Sequence, residues 1–168
     1  KLAAETTLSA FAQEGRLKGA SARIFVCYGP RIGFSHAVLA MLGRGFTRQR
    51  PYEVWGDGTQ IRNFTYVSDT VEGLILLAEH VTDGSAVNLG TRERIRVRDA
   101  AAMACGIFSH KPEFLFMPHM PTGPLNRVAD NSLAKRLLGW EPKVSFPDGL
   151  LKTAEWLTSA YTREEVER

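Results

Sequence analysis

The chain has 168 residues, 44% of them hydrophobic, with a formal charge of +3 and a pI near 9.0. That is enough apolar material for one domain, or a large piece of one, with a real core, while no run approaches the roughly 18–20 uninterrupted apolar residues that span a bilayer, so a cytoplasmic protein with no membrane partner is expected. The charge admits an anionic partner but is too mild to require nucleic acid, and the two cysteines, Cys27 and Cys105, lie far apart without CxxC or His-rich neighbours, which argues for buried thiols and against a zinc site or a disulfide scaffold.

In chain order, Lys1 to about Glu14 carries Leu2, Ala3, Leu8, Ala10 and Phe11 without Gly or Pro, which predicts an amphipathic helix stopping near Gly15. The chain opens on Lys1 rather than Met, inside this helical pattern, so a piece of a longer protein is expected. Ala22–Cys27, with Ile24, Phe25 and Val26 in succession, reads as a strand buried on both faces and stopped by Tyr28-Gly29-Pro30. A helix over Phe34–Leu42, closed by Gly43 and Gly45, should follow. Pro51–Trp55 reads as a strand, Gly56-Asp57-Gly58 as a turn needing positive φ, and Arg62–Val67 as a second strand.

Ser68 and Asp69 are N-cap types ahead of Val71, Leu74, Ile75 and Leu77, which predicts a helix to about His80. Beyond it come a strand at Ala86–Leu89, a helix at Val97–Ile107, an extended Glu113–Met117, a loop at Pro118–Pro124, and helices at Asn131–Leu138 and Phe146–Tyr161. Thr162–Arg168 reads as a charged, frayed tail. Helices alternating with short apolar strands imply an α/β protein, yet these strands are too short and scattered for a complete doubly wound sheet.

Several side chains stand out by type and place. Arg62 follows the Gly-rich turn, where a planar guanidinium can grip a pyrophosphate through two parallel hydrogen bonds. Asp57 and Gln60 are suited to shaping that turn by bonding its backbone, and Trp55 can stack on a base or sugar or join the core. His36 titrates near neutral pH and is a weak candidate for proton transfer. Arg92, Arg94, Arg96 and Arg98 alternate, so an extended segment would show four cations on one side, better read as a solvated edge than as a nucleic-acid footprint. His80, His110 and His119 lack metal-ligand spacing, and no metal is expected.

Five stretches carry a resemblance: Lys1-Leu2-Ala3-Ala4-Glu5, Arg23-Ile24-Phe25 followed by Tyr28-Gly29-Pro30-Arg31, Gly56-Asp57-Gly58-Thr59-Gln60-Ile61-Arg62-Asn63-Phe64-Thr65-Tyr66-Val67-Ser68-Asp69, Asn88-Leu89-Gly90, and Leu138-Gly139-Trp140-Glu141-Pro142. In this order and spacing they resemble the extended short-chain dehydrogenase/reductase family, most closely its nucleotide-sugar 4-epimerases and GDP-mannose 3,5-epimerases, over essentially the whole chain. The resemblance implies the last elements of a Rossmann-type parallel sheet plus a small mixed α/β substrate-binding domain. Residues 1–30 and about 64–92 would be remnants of the dinucleotide-binding domain, and about 31–63 and 93–168 the substrate-binding domain.

By the same resemblance, the intact protein would be an NAD-dependent nucleotide-sugar epimerase or dehydratase, with NADP as the alternative cofactor. It would move a hydride transiently from a sugar carbon to bound NAD and pair as a homodimer through the helix that starts at Lys1. Lys1 corresponds to the catalytic and cofactor-binding Lys whose Tyr partner lies four residues upstream, outside this chain, and whose charge lowers the phenol pKa. Tyr28, Gly29 and Pro30 correspond to backbone near the nicotinamide; Arg62 and Arg127 to phosphate ligands; Trp55, Gln60 and Asn88 to further substrate contacts. Val26 stands where many members have a substrate-binding Asn, and Ser35-His36-Ala37-Val38 where 3,5-epimerases carry a catalytic Lys. The phosphate-cradling GxxGxxG turn is missing, since Gly43-Arg44-Gly45 follows a helix instead of opening one. This stretch alone is therefore expected to be inactive, and a stand-alone nucleotide-sugar-binding or assembly module without catalysis is the alternative reading.

Overall fold

The computed structural model describes all 168 residues. In chain order the elements are α1 (Leu2–Gln13), β1 (Gly19–Ile24), β2 (Val26–Tyr28), α2 (Ala37–Phe46), β3 (Tyr52–Trp55), β4 (Ile61–Arg62), β5 (Phe64–Tyr66) and α3 (Val67–His80). They continue with β6 (Asp83–Leu89), β7 (Ile95–Arg96), α4 (Val97–Ile107), β8 (Phe114–Met117), β9 (Asn126–Arg127), α5 (Ser132–Leu138), α6 (Phe146–Ala160) and α7 (Arg163–Glu167). The chain forms two compact units, the first made of Lys1–Cys27, Asn63–Arg92 and Val128–Val144, the second of Tyr28–Arg62, Glu93–Arg127 and Ser145–Arg168.

In the first unit, β1 and β6 pair in parallel, with Ser21 opposite Ala86 and Ile24 opposite Leu89. Parallel neighbours need a long crossover, and α3 lies on that connection and packs on both strands. Leu77, Val81, Val87, Leu89, Ala134 and Trp140 form the core, with Ala20, Ala22, Leu133 and Leu138 against it. Gly73 lets α3 come this close, because a Cβ there would lie 3.0 Å from Leu89 and 3.1 Å from Trp140. The single strand expected over Ala22–Cys27 is instead two, β1 and β2, interrupted at Phe25. Nor is β1 fully buried: its first four residues are half-buried, and Arg23 and Ile24 are exposed.

Asp69 does not cap α3, whose N-cap is Tyr66. The carboxylate is buried one turn in, where Oδ2 accepts the N–H of Lys143 at 3.1 Å and of Val144 at 3.0 Å, while the Asp69 carbonyl accepts Trp140 Nε1–H at 3.0 Å. These bonds carry residues 139–144 back onto α3. The turn begins at Gly139, which closes α5 in the left-handed conformation at φ 62.

The second unit is built on α2, α4 and α6, which pack against one another and bury Val38, Leu39, Leu42, Ala101, Ala104, Leu150 and Leu157. Gly43 and Gly45 do not end α2, which begins later than expected and runs on to Phe46. They are contact points: a Cβ on Gly45 would sit 3.0 Å from the Ala104 carbonyl oxygen, and one on Gly43 would sit 3.2 Å from Val166. A helix interior tolerates glycine, at about 1 kcal/mol relative to Ala, where it brings backbones together. Beside the helices, β3 and β8 pair in parallel, and β7, β4 and β9 form a three-stranded sheet in that order.

Arg163–Glu167 is a short helix rather than a frayed tail, because Thr162 and Glu165 make a reciprocal capping box and Val166 reaches α2. Of the two thiols Cys105 is buried and Cys27 half-buried, and both are free. No helix is long and apolar enough to cross a membrane.

Candidate functional site

The glycine-rich turn between β3 and β4 is held by its own side chains. Gly56 and Gly58 have φ of 79 and 75, a conformation that costs other residues roughly 1–2 kcal/mol. Asp57 Oδ1 accepts Thr59 N–H at 2.9 Å and Thr59 Oγ1–H at 2.7 Å, and these bonds hold the carboxyl below its ordinary pKa. Buried Gln60 donates from Nε2 to the Trp55 carbonyl at 2.7 Å, which closes the loop across its base. The turn also satisfies the start of α4: Val97 N–H donates to the Gln60 carbonyl at 3.1 Å and Arg98 N–H to the Gly58 carbonyl at 3.0 Å.

This frame sets β4 between β7 and β9. Arg62 lies opposite Ile95 on one side and Arg127 on the other, so two arginines occupy adjacent positions on one face of the sheet. Arg62 is only 8% exposed. Its Nη1 donates to the carbonyls of Ile61 and Pro124, each at 2.7 Å, and its Nη2 to the carbonyl of Thr122. Neither arginine is in an ion pair, and burial, followed by the charge of Arg127, pushes the Arg62 guanidinium below its ordinary pKa. Arg127 is exposed. Trp55, 45% exposed, closes β3 opposite Met117. A buried cation beside an exposed one, with no carboxylate between them, is an electrostatic cost that an anion would relieve.

Arg62, Arg127, Gln60 and Trp55 are thus gathered on one region of the second unit, with Gln60 engaged in the turn itself. Tyr28 and His36 are elsewhere in that unit. Tyr28 is a core residue, donating its hydroxyl to the Phe146 carbonyl at 3.1 Å with the two rings 5.5 Å apart; Gly29 beside it is buried and Pro30 half-buried. His36 caps α2, its Nδ1 accepting Val38 N–H at 3.3 Å, and burial lowers its pKa.

On the first unit, Lys1 is exposed at the N-cap of α1, and its ammonium makes no hydrogen bond or ion pair. Asn88, near the end of β6, donates Nδ2 to the Asp130 carbonyl at 2.9 Å. The four alternating arginines do not share an extended face: β7 ends at Arg96, Arg98 belongs to α4, and Arg92 is paired with Asp130 at 3.0 Å. His110 is buried with Nε2 3.0 Å from the Gln49 carbonyl, and no group of three or more His, Cys, Asp or Glu is gathered.

Two features escape a reading of residue types. The Thr122 and Pro124 carbonyls on Arg62 are backbone groups from a distant loop, and nothing in the local sequence announces them. Asn63, fully buried, donates Nδ2 to the Thr91 carbonyl at 3.1 Å while Thr65 Oγ1 accepts Thr91 N–H at 3.0 Å, so the residue after Gly90 is gripped at both of its backbone polar groups. The position of Asn63 directly after Arg62 is the one signal that pointed there.

The sequence profile of the NAD dependent epimerase/dehydratase family matches residues 1–90. A Bacillus subtilis (strain 168) protein, described as the uncharacterized UDP-glucose epimerase YtcB, is 35% identical over 144 residues, which is 84% of this chain and 45% of that protein. UDP-glucuronic acid decarboxylase 1 of Arabidopsis thaliana is 35% identical over 151 residues, 89% of this chain and 34% of that protein. Among solved structures, MoeE5 in complex with UDP-glucuronic acid and NAD superposes with a TM-score of 0.84 at 31% identity, over 95% of this chain and 54% of that one. The chain therefore spans less than half the length of these two curated relatives.

Proposed function

Because the chain belongs to the NAD dependent epimerase/dehydratase family, we propose that it is the carboxyl-terminal part of a nucleotide-sugar epimerase, dehydratase or decarboxylase and supplies mainly the grip on the nucleotide sugar. The observation that carries this reading is the pair Arg62 and Arg127, adjacent in register and without a carboxylate partner, with exposed Trp55 closing the neighbouring strand β3. Two guanidiniums suit a pyrophosphate, whose oxygens accept paired N–H donors, and an exposed indole suits a flat base or sugar face. Since MoeE5 is described with UDP-glucuronic acid and YtcB as a UDP-glucose epimerase, a UDP-sugar is the substrate class we assign. Asn88 is assigned a further polar substrate contact.

Within this reading the first unit, with Val128–Val144 packed in it, serves the dinucleotide side, and the second unit serves the substrate side. The cofactor is NAD, as in the MoeE5 complex, and when bound it supplies the hydride acceptor for the sugar carbon. The residues of this chain that fit it are few. Lys1 offers an exposed ammonium free of acceptors, chemically suited to ribose hydroxyls and to stabilising a phenolate contributed from outside this stretch. Tyr28, Gly29 and Pro30 offer a rigid turn at the end of β2. Dimerisation in the intact protein is assigned to α1, which has no fully buried residue and leaves Leu2 exposed.

The test is kinetic, on the full-length protein with UDP-glucose or UDP-glucuronic acid as substrate. Lys1→Ala should lower the rate of nicotinamide reduction in a single turnover by at least about a hundredfold, the usual size of a general acid–base contribution, whereas Arg127→Ala should act chiefly on KM. Wild-type protein that binds the UDP-sugar without ever reducing its nicotinamide would instead favour a binding module.

A further inference from the structure

Arg92, Arg94 and Arg96 are exposed, while Glu93 and Ile95, which alternate with them, are half-buried. Ile95 is the β7 residue opposite Arg62 on β4, so Glu93, two residues before it, is placed by the strand that flanks Arg62. Burial pushes the Glu93 carboxyl above its ordinary pKa, with the Phe146 N–H opposing the rise and the Asp148 charge adding to it. A carboxylate drawn in from water costs free energy unless a donor compensates it.

The donor is the first amide of α6. Phe146 N–H donates to Glu93 Oε2 at 3.1 Å, with Oε1 3.4 Å from the same nitrogen. A helix start leaves this N–H without an intrahelical partner, and an anion there also meets the positive end of the helix dipole. The Asp148 N–H goes to the Ser145 hydroxyl at 3.3 Å, so Ser145 caps one amide of the first turn and Glu93 another. Phe146 itself is fully buried, and its carbonyl accepts the Tyr28 hydroxyl at 3.1 Å, with the two rings 5.5 Å apart. Both backbone polar groups of one core residue therefore take side-chain partners, Glu93 on the N–H and Tyr28 on the carbonyl.

We propose that Glu93 is a positioning residue: carried by β7, its carboxylate holds Phe146, and Phe146 holds Tyr28 and with it the turn Tyr28-Gly29-Pro30. The proposal rests on the reading above, in which that turn serves the cofactor and Arg62 the nucleotide sugar. Glu93 acts through Phe146 and is assigned no contact with either ligand. What it supplies is registry: the strand beside Arg62 and the backbone turn beside the cofactor are set by one path of two hydrogen bonds. Such registry matters to the rate more than to binding, because misplacing reacting groups by about 1 Å costs on the order of a hundredfold.

Nicotinamide reduction in a single turnover, by the full-length protein with UDP-glucose or UDP-glucuronic acid, tests this. Glu93→Met keeps the bulk and drops the acceptor, Glu93→Gln keeps both the bulk and an acceptor, and Tyr28→Phe keeps the ring; circular dichroism checks that each folds. Glu93→Met should slow reduction on the order of tenfold to a hundredfold with KM for the UDP-sugar unchanged, and Glu93→Gln should restore most of the rate. Tyr28→Phe should be slow as well, and adding it to Glu93→Met should cost no more than the larger single loss, because both cut one path. Losses that multiply, or a loss confined to KM, would overturn the proposal. Tyr28→Phe leaves Glu93 in place, so a wild-type rate in that variant overturns it whatever Glu93→Met does. Wild-type protein that binds a UDP-sugar without reducing its nicotinamide sinks the underlying reading and this proposal together, whereas an active wild type with unaffected variants sinks the proposal alone.

Discussion

Asp69→Ala is the substitution whose cost the fold predicts most sharply. The side chain is 3% exposed, and one carboxylate oxygen accepts two backbone N–H groups, from Lys143 at 3.1 Å and Val144 at 3.0 Å. Each charge-assisted bond is worth about 1.5–3 kcal/mol. The two do not add fully, because Lys143 is exposed and water can reach its amide after the change, so a net loss of about 3 kcal/mol is expected. For a chain of this size that lowers Tm by roughly 6–12 °C. Asp69→Asn keeps the shape and an acceptor but not the charge, and should lose about half as much, since ionised partners roughly double a hydrogen bond. The assay is thermal unfolding of the three proteins by circular dichroism, with amide exchange at 143 and 144 as the local readout. Asp69→Ala melting within about 2 °C of wild type, with those amides still protected, would mean that the carboxylate does not hold residues 143 and 144.

Two further outcomes follow from single residues. The carboxyl of Asp130 is held down to about 2 by Ser132 and then by Arg92. A depressed carboxylate contributes stability that is complete above its unfolded value, near 3.9, and lost as pH falls through the folded value. The stability gap between wild type and Asp130→Asn should therefore be constant above about pH 5 and close towards pH 2; a gap that persists there contradicts the assignment. Gly58→Ala would place a Cβ 2.8 Å from both Arg98 and Phe116 at a φ of 75. Strain and overpacking together should cost about 2–4 kcal/mol, measurable as a lower urea midpoint at unchanged m-value, and a neutral result would mean the turn relaxes freely.

Residues that act locally were legible in the sequence, and those that act across it were not. The helix read at Val97–Ile107 coincides with α4, and the spacing of Gly56 and Gly58 announced their positive φ. Gly43 and Gly45 misled for a tertiary reason, because read locally a glycine stops a helix, whereas here the contacts of α2 with α4 and with Val166 require it. Asp69 was legible as a residue of consequence but not as the partner of residues some seventy positions away. The alternating arginines suggested one extended face until the chain turned helical at Val97. The capping box at Thr162 and Glu165 was present to be read; the density of charge around it drew attention to fraying instead. Arg62, Arg127, Trp55 and Gln60 stood out as candidates by type and motif, but what Arg62 bonds comes from loop carbonyls that carry no sequence signature.

Whether Arg62 and Arg127 receive the pyrophosphate of a UDP-sugar is decided by calorimetric titration of the 168-residue chain with UDP-glucose, set beside uridine and glucose, which lack the phosphates. UDP-glucose alone should give saturable heat, weakened by roughly 1.5–3 kcal/mol in Arg127→Ala and falling as salt is raised. UDP-glucose binding that is indifferent to Arg127→Ala and to salt, or equal binding of uridine, would contradict that assignment.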